Sequence, residues 1–237
     1  MDIIYNIGVA LGSIIIGYFI GAFPTAIILG KVLFKQDPRD FGSKNAGGTN
    51  AGRIWGIKIG LIVMIVDVIK SIIALWLVFF LIKITKLETY FSLYQNGILF
   101  YYLASFGATL GHCYPVYAKF KGGKAVSTVA GFIITTSWFV TLLGLIFFAV
   151  LKWKKIVSLS SLVSAVSITL AAWFMFFLSL FNADASALLM WGKDLLFIPS
   201  WEYALIVLLM AVLIFIRHKE NITRLKNNEE PTVKWMK

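Results

Sequence analysis

Cysteine, histidine and acidic side chains are scarce in this chain. Its single cysteine, Cys113, excludes an intrachain disulfide. The two histidines are not spaced with cysteine or acidic residues in a pattern that holds a metal, so we expect no metal and no other cofactor. Asp and Glu number 11 against 22 Lys and Arg, and the resulting net charge of +11 favours anionic partners.

The glycine loop of nucleotide hydrolases is also missing. The stretches GSKNAGGTN and FKGGKAVST both lack the GxxxxGK[ST] spacing, and no strand pattern precedes either of them. No internal repeat of the kind found in many carriers is visible. We expect no nucleic-acid partner, and the pattern points to no particular soluble protein partner.

Apolar residues, by contrast, dominate the composition. They make up 59% of the 237 residues, and the mean hydropathy is +0.86, more than one soluble core requires. The apolar runs are long and do not alternate in polarity as barrel strands do, so the sequence predicts an all-α integral membrane protein. The runs cover residues 3–29, 57–82, 97–110, 126–151, 156–181 and 201–216.

The distribution of basic residues predicts how these helices are oriented. Basic loops stay in the cytoplasm, and most of the Lys and Arg lie in the segments 31–58, 119–124, 152–155 and 217–237. These segments share one side only if the run 126–151 enters and returns as a hairpin of two short helices. We expect its break between Gly131 and Trp138, where Thr135, Thr136 and Ser137 cluster. The prediction is seven transmembrane helices in one membrane-embedded domain, residues 1–237, with the N-terminus outside and the C-terminus cytoplasmic.

Three polar segments fall on the predicted cytoplasmic side: residues 41–53, 111–124 and 217–230, called here the first, second and third polar segments. Each combines small residues with hydroxyl, amide and cationic side chains, the groups that surround phosphate oxygens. Singly, these features have plainer explanations, since glycines shape turns, lysines obey the positive-inside rule and His112 can be structural. Their coincidence on one face favours a site for a phosphorylated ligand.

The motifs in these segments resemble those of the bacterial acyl-phosphate-dependent glycerol-3-phosphate acyltransferases, which are small integral membrane enzymes. The first family motif, GSGNxGATNxxR, is matched by Gly42, Ser43, Asn45, Gly47, Thr49, Asn50 and Arg53. The second, GHxxPxxxxFKGGKxxxT, is matched by Gly111, His112, Pro115, Phe120, Lys121, Gly122, Gly123, Lys124 and Thr128. The third, HxxNIxRLxxGxE, is matched by His218, Asn221, Ile222, Arg224, Leu225 and Glu230. The motifs follow in the family's order, so the resemblance covers most of the chain.

The chain departs from these motifs at a few positions. Lys44 stands where the first motif has glycine, and Gly48 stands where it has alanine; these changes affect the turn or add charge near the phosphate. Asn228 replaces the glycine of the third motif, and asparagine still allows a left-handed backbone. The His and Asp pair of the acyl-CoA-dependent glycerolipid enzymes is absent, because Tyr117 and Thr223 occupy the Asp positions. We expect an active enzyme that uses a different mechanism.

The resemblance implies transfer of the acyl group of an acyl phosphate to the 1-hydroxyl of sn-glycerol 3-phosphate, which releases phosphate and leaves lysophosphatidic acid among the membrane lipids. The site is then expected to face the cytoplasm from the bacterial plasma membrane. The residues expected to be catalytic are Ser43, Arg53, Lys124, His218 and Asn221. Those expected to bind substrate are Gly42, Asn45, Gly47, Thr49, Asn50, His112, Gly122, Gly123, Arg224 and Glu230. Arg53, Lys124 and His218 are expected to converge in one cradle.

Other interpretations of the same residues stay open. A covalent acyl-Ser43 intermediate, with His112 or His218 as base, is an alternative chemistry. A transporter for a phosphorylated metabolite or anion, or a scaffold for anionic lipids, is an alternative function. The polar residues crowd one membrane face, whereas a carrier places its site near mid-depth, which favours an enzyme. Asp67 and Lys70, one turn apart in an apolar run, are interpreted as a neutralising structural pair.

Overall fold

The computed structural model describes residues 2–87, 97–191 and 197–233, and within these ranges the regular structure is helical, with no strand. Two compact units make up the chain, Met1–Phe132 and Ile133–Lys237. The helices of the first unit are α1 (Asp2–Gly21), α2 (Thr25–Leu29), α3 (Gly48–Trp55), α4 (Ile57–Ile84) and α5 (Ile98–Cys113). Helix α6 (Val126–Thr136) begins in the first unit and ends in the second. The second unit holds α7 (Trp138–Gly144), α8 (Ile146–Lys154), α9 (Val157–Phe181), α10 (Ala183–Ala187), α11 (Trp201–Arg217) and α12 (Lys219–Lys226).

Several helices have the length and composition to cross a membrane. The described residues contain three such helical stretches, Ile3–Phe34, Ile57–Ile84 and Val157–Phe181. A fourth is counted if α11 and α12, which meet at an angle of 61°, form one span. The all-helical prediction is therefore confirmed, while the count of seven and the sides of the two termini stay predictions.

Small residues allow α1 and α5 to pack closely in the first unit. A Cβ atom on Gly17 would lie 1.8 Å from the carbonyl oxygen of Ala104, and one on Gly21 would lie 1.9 Å from that of Ala108. Gly107 and Gly111 on α5 are equally tight against the α1 backbone. Helices in lipid gain little from the hydrophobic effect, so this close van der Waals contact is what holds the pair together.

The first apolar run was predicted as one helix over residues 3–29. In the structure it is interrupted at Pro24. Helix α1 ends at Gly21, and α2 starts again at Thr25 before a π-helical turn, Gly30–Phe34. Proline has no N–H, so it cannot continue the helical hydrogen-bond ladder. The carbonyl of Phe23 is released at this break and accepts a hydrogen bond from Lys70 Nζ at 2.5 Å.

The run 126–151 is broken where the sequence predicted. Helix α6 ends at Thr136, and Ser137 is the N-cap of α7, its hydroxyl accepting from the Val140 N–H at 3.2 Å. The same hydroxyl donates to the Leu189 carbonyl at 2.7 Å. A second interruption at Leu145 separates α7 from α8. In the second unit α7, α8, α10 and α11 all pack on α9.

Candidate active site

The first polar segment is organised by the amide of Asn50. This side chain is buried, and its Nδ2 lies 2.7 Å from the Pro38 carbonyl, 3.1 Å from that of Phe41 and 3.0 Å from that of Asn45. Its Oδ1 accepts the Ser43 N–H at 2.8 Å. The amide is thus used by backbone groups within and just before the first polar segment, so Asn50 holds the shape of this segment. Its expected part in substrate binding stays a prediction.

At two positions this chain replaces a glycine of the family motifs with another residue. Both positions adopt a left-handed backbone. Lys44 has a φ of 55° and Asn228 a φ of 58°. Glycine reaches this region without strain, asparagine does so readily, and other side chains incur a cost of about 1 kcal/mol. Gly42 is also left-handed, at 58°, and a Cβ there would lie 2.4 Å from Asn50 Oδ1. Lys44 therefore keeps the turn that the motif glycine makes and places a cation at its exposed tip.

Three expected phosphate ligands of the first segment lie near the start of α3, and a fourth lies near its end. Gly47 is the N-cap, and within the described part of the chain no side chain caps this end. Ser43, Asn45 and Thr49 are half-buried around it, and Arg53 is exposed in the last turn of the same helix. A helix N-terminus presents N–H groups and partial positive charge, which suits an anion.

The second polar segment folds back on the end of α5. The N–H groups of Gly122 and Gly123 donate to the carbonyls of Cys113 and His112 at 3.2 and 2.9 Å. A Cβ on Gly123 would lie 2.0 Å from His112 Nε2, because this end of the imidazole packs against the glycine. The two glycines therefore make room for the histidine, and their N–H groups serve the fold. Lys124 follows, half-buried, just before α6.

A small cleft joins the first two polar segments. Its lining includes Ala46 from the first segment, Pro115, Gly122 and Gly123 from the second, and the buried polar side chains Thr25, Asp67, Lys70 and His112. The expected Asp67–Lys70 pair is present, with Nζ 2.7 Å from Oδ1. His112 joins it, since its Nδ1 lies 3.6 Å from the same oxygen.

Arg39 joins the stretch just before the first polar segment to the second polar segment. Its Nη1 donates to the Ala118 carbonyl at 2.8 Å, while Nε and Nη2 bind both carboxylate oxygens of Asp37 at 2.9 and 2.7 Å. The hydrogen bonds from Arg39 hold the pKa of Asp37 below its ordinary value, although burial opposes this. Neither residue belongs to a family motif, and a lone Asp-Pro-Arg sequence gave no signal of this role.

The third polar segment carries its side chains on α12, in the second unit. Glu230 receives hydrogen bonds from Asn221 Nδ2 at 2.6 Å, from Ser158 Oγ at 2.8 Å and from Arg224 Nε at 2.8 Å. Burial opposes ionisation of Glu230, but these donors lower its pKa below the ordinary value. Ser158 was not expected here, since a serine inside an apolar run carries no functional pattern.

His218 lies at the bend between α11 and α12 and is buried. Its Nδ1 is 2.8 Å from the Ile214 carbonyl, which only accepts hydrogen bonds, so Nδ1 carries the proton. In the neutral ring the lone pair is then on Nε2. Across residues 2–87, 97–191 and 197–233, no three His, Cys, Asp or Glu side chains group as metal ligands.

Comparison with known proteins identifies the family of this chain. A family model described as "Glycerol-3-phosphate acyltransferase" matches residues 11–228. The chain belongs to the glycerol-3-phosphate acyltransferase family. A glycerol-3-phosphate acyltransferase of Listeria monocytogenes is 36% identical over 94% of this chain and 96% of its own, and one of Staphylococcus aureus is 35% identical over 94% and 97%.

Solved structures of the family share the fold. The crystal structure of PlsY, an integral membrane glycerol 3-phosphate acyltransferase, in its glycerol 3-phosphate form superposes with a TM-score of 0.72 at 28% identity, covering 94% of this chain and 95% of that one. Its lysophosphatidic acid form gives a TM-score of 0.70 at 27% identity. The membrane-bound, all-helical architecture of this family member is thereby established.

Proposed function

We propose that this protein transfers an acyl group from an acyl phosphate to the 1-hydroxyl of sn-glycerol 3-phosphate, giving lysophosphatidic acid and inorganic phosphate for phospholipid synthesis. The reaction takes place at the cytoplasmic face of the bacterial plasma membrane. The observation that carries the proposal is the cleft shared by the first two polar segments, in which Lys70 and His112 lie beside the glycines of the second motif. Family membership supports the acceptor, and the cationic, phosphate-binding chemistry supports the donor.

The first and second segments bind the acyl phosphate in this proposal. Ser43, Asn45 and Thr49 donate hydrogen bonds together with the uncapped start of α3, and they stabilise the oxyanion that develops on the acyl carbonyl. One such donor contributes about 3 kcal/mol to transition-state stabilisation. Arg53 and Lys124 neutralise the phosphate charge. Gly42 and Gly47 act through the turn they permit.

The third segment binds glycerol 3-phosphate and orients its hydroxyl. His218 presents Nε2, because Nδ1 is held by the Ile214 carbonyl. Asn221 is held by Glu230, which also fixes Arg224, so this carboxylate positions two ligands at once. Acyl phosphate has a good leaving group, so placing the hydroxyl about 3 Å from the carbonyl carbon is the main catalytic contribution.

Purified protein in detergent, given acyl phosphate and glycerol 3-phosphate, tests the proposal. We expect phosphate release that requires both substrates and matches lysophosphatidic acid one to one, with little product from acyl-CoA. Product from acyl-CoA alone would contradict the donor. Uptake of labelled glycerol 3-phosphate into vesicles without product would indicate a transporter.

Incubation with labelled acyl phosphate, without glycerol 3-phosphate, distinguishes direct acyl transfer from a covalent acyl-Ser43 intermediate. Direct transfer leaves no label on the protein. A covalent label that is lost in Ser43→Ala would instead establish the acyl-serine route.

A further inference from the structure

One carboxylate outside the family motifs gathers polar groups from three elements. Asp67 Oδ1, on α4, lies 2.7 Å from Lys70 Nζ, 3.2 Å from Thr25 Oγ1 at the start of α2, and 3.6 Å from His112 Nδ1 near the end of α5. Asp67 is only 2% exposed, Lys70 5% and His112 7%. A carboxylate buried this deeply is held by its partners.

Charge neutralisation alone does not account for this arrangement. Lys70, one turn along the same helix, already supplies the opposite charge, and its Nζ is also held by the Phe23 carbonyl freed at Pro24. A purely structural pair is complete at that point. The carboxylate nevertheless also faces His112, whose ring lines the cleft between the first and second polar segments.

The histidine is held from both sides. Nδ1 faces the Asp67 carboxylate at 3.6 Å, a distance at which the two groups interact electrostatically. The opposite nitrogen, Nε2, lies beside Gly123, which also lines the cleft, and a Cβ on this glycine would lie 2.0 Å away. Asp67 and Gly123 thus set the orientation of the ring from opposite sides.

We propose that Asp67 is a positioning residue for acyl transfer. It holds the imidazole of His112 at the edge of the cleft, where the ring carries a proton on both nitrogens while a phosphate is bound and donates from Nε2–H to a phosphate oxygen of one substrate. Lys70 cancels the carboxylate charge, so the acidic residue beneath the cleft does not repel a bound anion. This inference rests on the proposed function, because it assigns how the second motif histidine of that site is held.

A double-mutant cycle tests it, with Asp67→Asn, His112→Gln and the combination. We expect Asp67→Asn to lower kcat/KM about 10- to 100-fold in the His112 enzyme, and to have little further effect in His112→Gln. Residues that act as a unit are non-additive in this way. KM measured separately for acyl phosphate and for glycerol 3-phosphate shows which phosphate is contacted. Asp184→Asn, an exposed position on α10, is the matched control and leaves both values unchanged.

The chain has only two histidines, so a second readout does not depend on turnover. With ring-labelled histidine, Asp67→Asn should shift the nitrogen resonances of His112 and leave those of His218 in place. An unchanged His112 spectrum would overturn the proposal. So would an equal loss of kcat/KM in both backgrounds, which is what a structural role gives.

Asp67→Asn leaves Lys70 without its carboxylate and can reduce the yield of folded protein. The variant Asp67→Asn/Lys70→Met removes both charges and restores an electrically neutral interior. This double variant should fold. Its kcat/KM should be lower than that of the parent, but adding the same two changes to His112→Gln should lower kcat/KM little further. If it recovers full activity, the carboxylate is structural. Absence of turnover in the parent, with the spectral shift intact, would refute the proposed function while showing that Asp67 does orient His112; turnover in the parent without the spectral shift would refute this inference alone.

Discussion

Replacing Asn50 by aspartate keeps the shape of a buried side chain and reverses half of its hydrogen bonding. Oδ1 can still accept the Ser43 N–H, but a second oxygen then faces the carbonyls of Pro38, Phe41 and Asn45 at 2.7 to 3.1 Å. Acceptor now meets acceptor at three contacts. The first polar segment loses the group that holds it closed.

The size of the effect follows from these contacts. Two N–H donors are lost, each with a net contribution of about 1 kcal/mol, and burying a carboxylate without donors costs several kcal/mol more unless the segment opens. We therefore expect the first polar segment to open, and restoring its closed form for catalysis should cost about 3 kcal/mol, which corresponds to a fall of about 100-fold in kcat/KM. The melting temperature should change little, because the opening is local.

Turnover and limited trypsin digestion are the assays, with cleavage after Lys44 reporting an open segment. Asn182→Asp is the matched control: Asn182 is an exposed N-cap that accepts the Ala185 N–H at 2.9 Å, and aspartate caps equally well. If Asn50→Asp raised only the KM for one substrate and left digestion at Lys44 unchanged, Asn50 would be a direct substrate ligand and the reasoning wrong.

Three further changes test other contacts. Glu230→Gln should destabilise the protein by about 2 kcal/mol. Because the pKa of Glu230 is lowered in the folded state, the parent should lose stability as pH falls below about 4.5, and the variant should not show this loss when melting temperature is measured across pH. Arg39→Gln removes the charge-assisted bonds to Asp37 and to the Ala118 carbonyl, and a net loss of about 1.5 kcal/mol should cut turnover about tenfold with little change in melting temperature. A large drop in melting temperature would make Arg39 a global stabiliser. Gly21→Val should abolish the folded yield, since its Cβ meets Ala108, whereas Gly8→Val, where no described atom lies within 4 Å, should not; equal yields would refute the packing argument.

Helix positions could be predicted from the sequence where length and apolar composition decide them. The run 57–82 became α4, Ile57–Ile84, and the run 156–181 became α9, Val157–Phe181. The break at Ser137 followed from a charge argument and a cluster of hydroxyl residues. Pro24 was visible in the sequence as well, but the apolar run around it masked its effect on the backbone.

The candidate site was predictable only in its motif residues. Glycine, amide and cationic side chains mark the three segments because phosphate chemistry restricts residue type. The partners that hold them could not be found that way. Ser158 meets Glu230 across 72 residues, and Asp67 meets His112 because α4 packs on α5. Such contacts depend on tertiary packing, which no local pattern encodes.

The spacing of Asp67 and Lys70 also bears on how the protein enters the bilayer. Both charges belong to α4, and their side chains meet at 2.7 Å. A single charge at the centre of a nascent membrane helix costs about 3 kcal/mol at the translocon. This helix brings its own counter-ion, so it can be inserted as an electrically neutral segment before α5 has been synthesised, and the contact with His112 forms only afterwards.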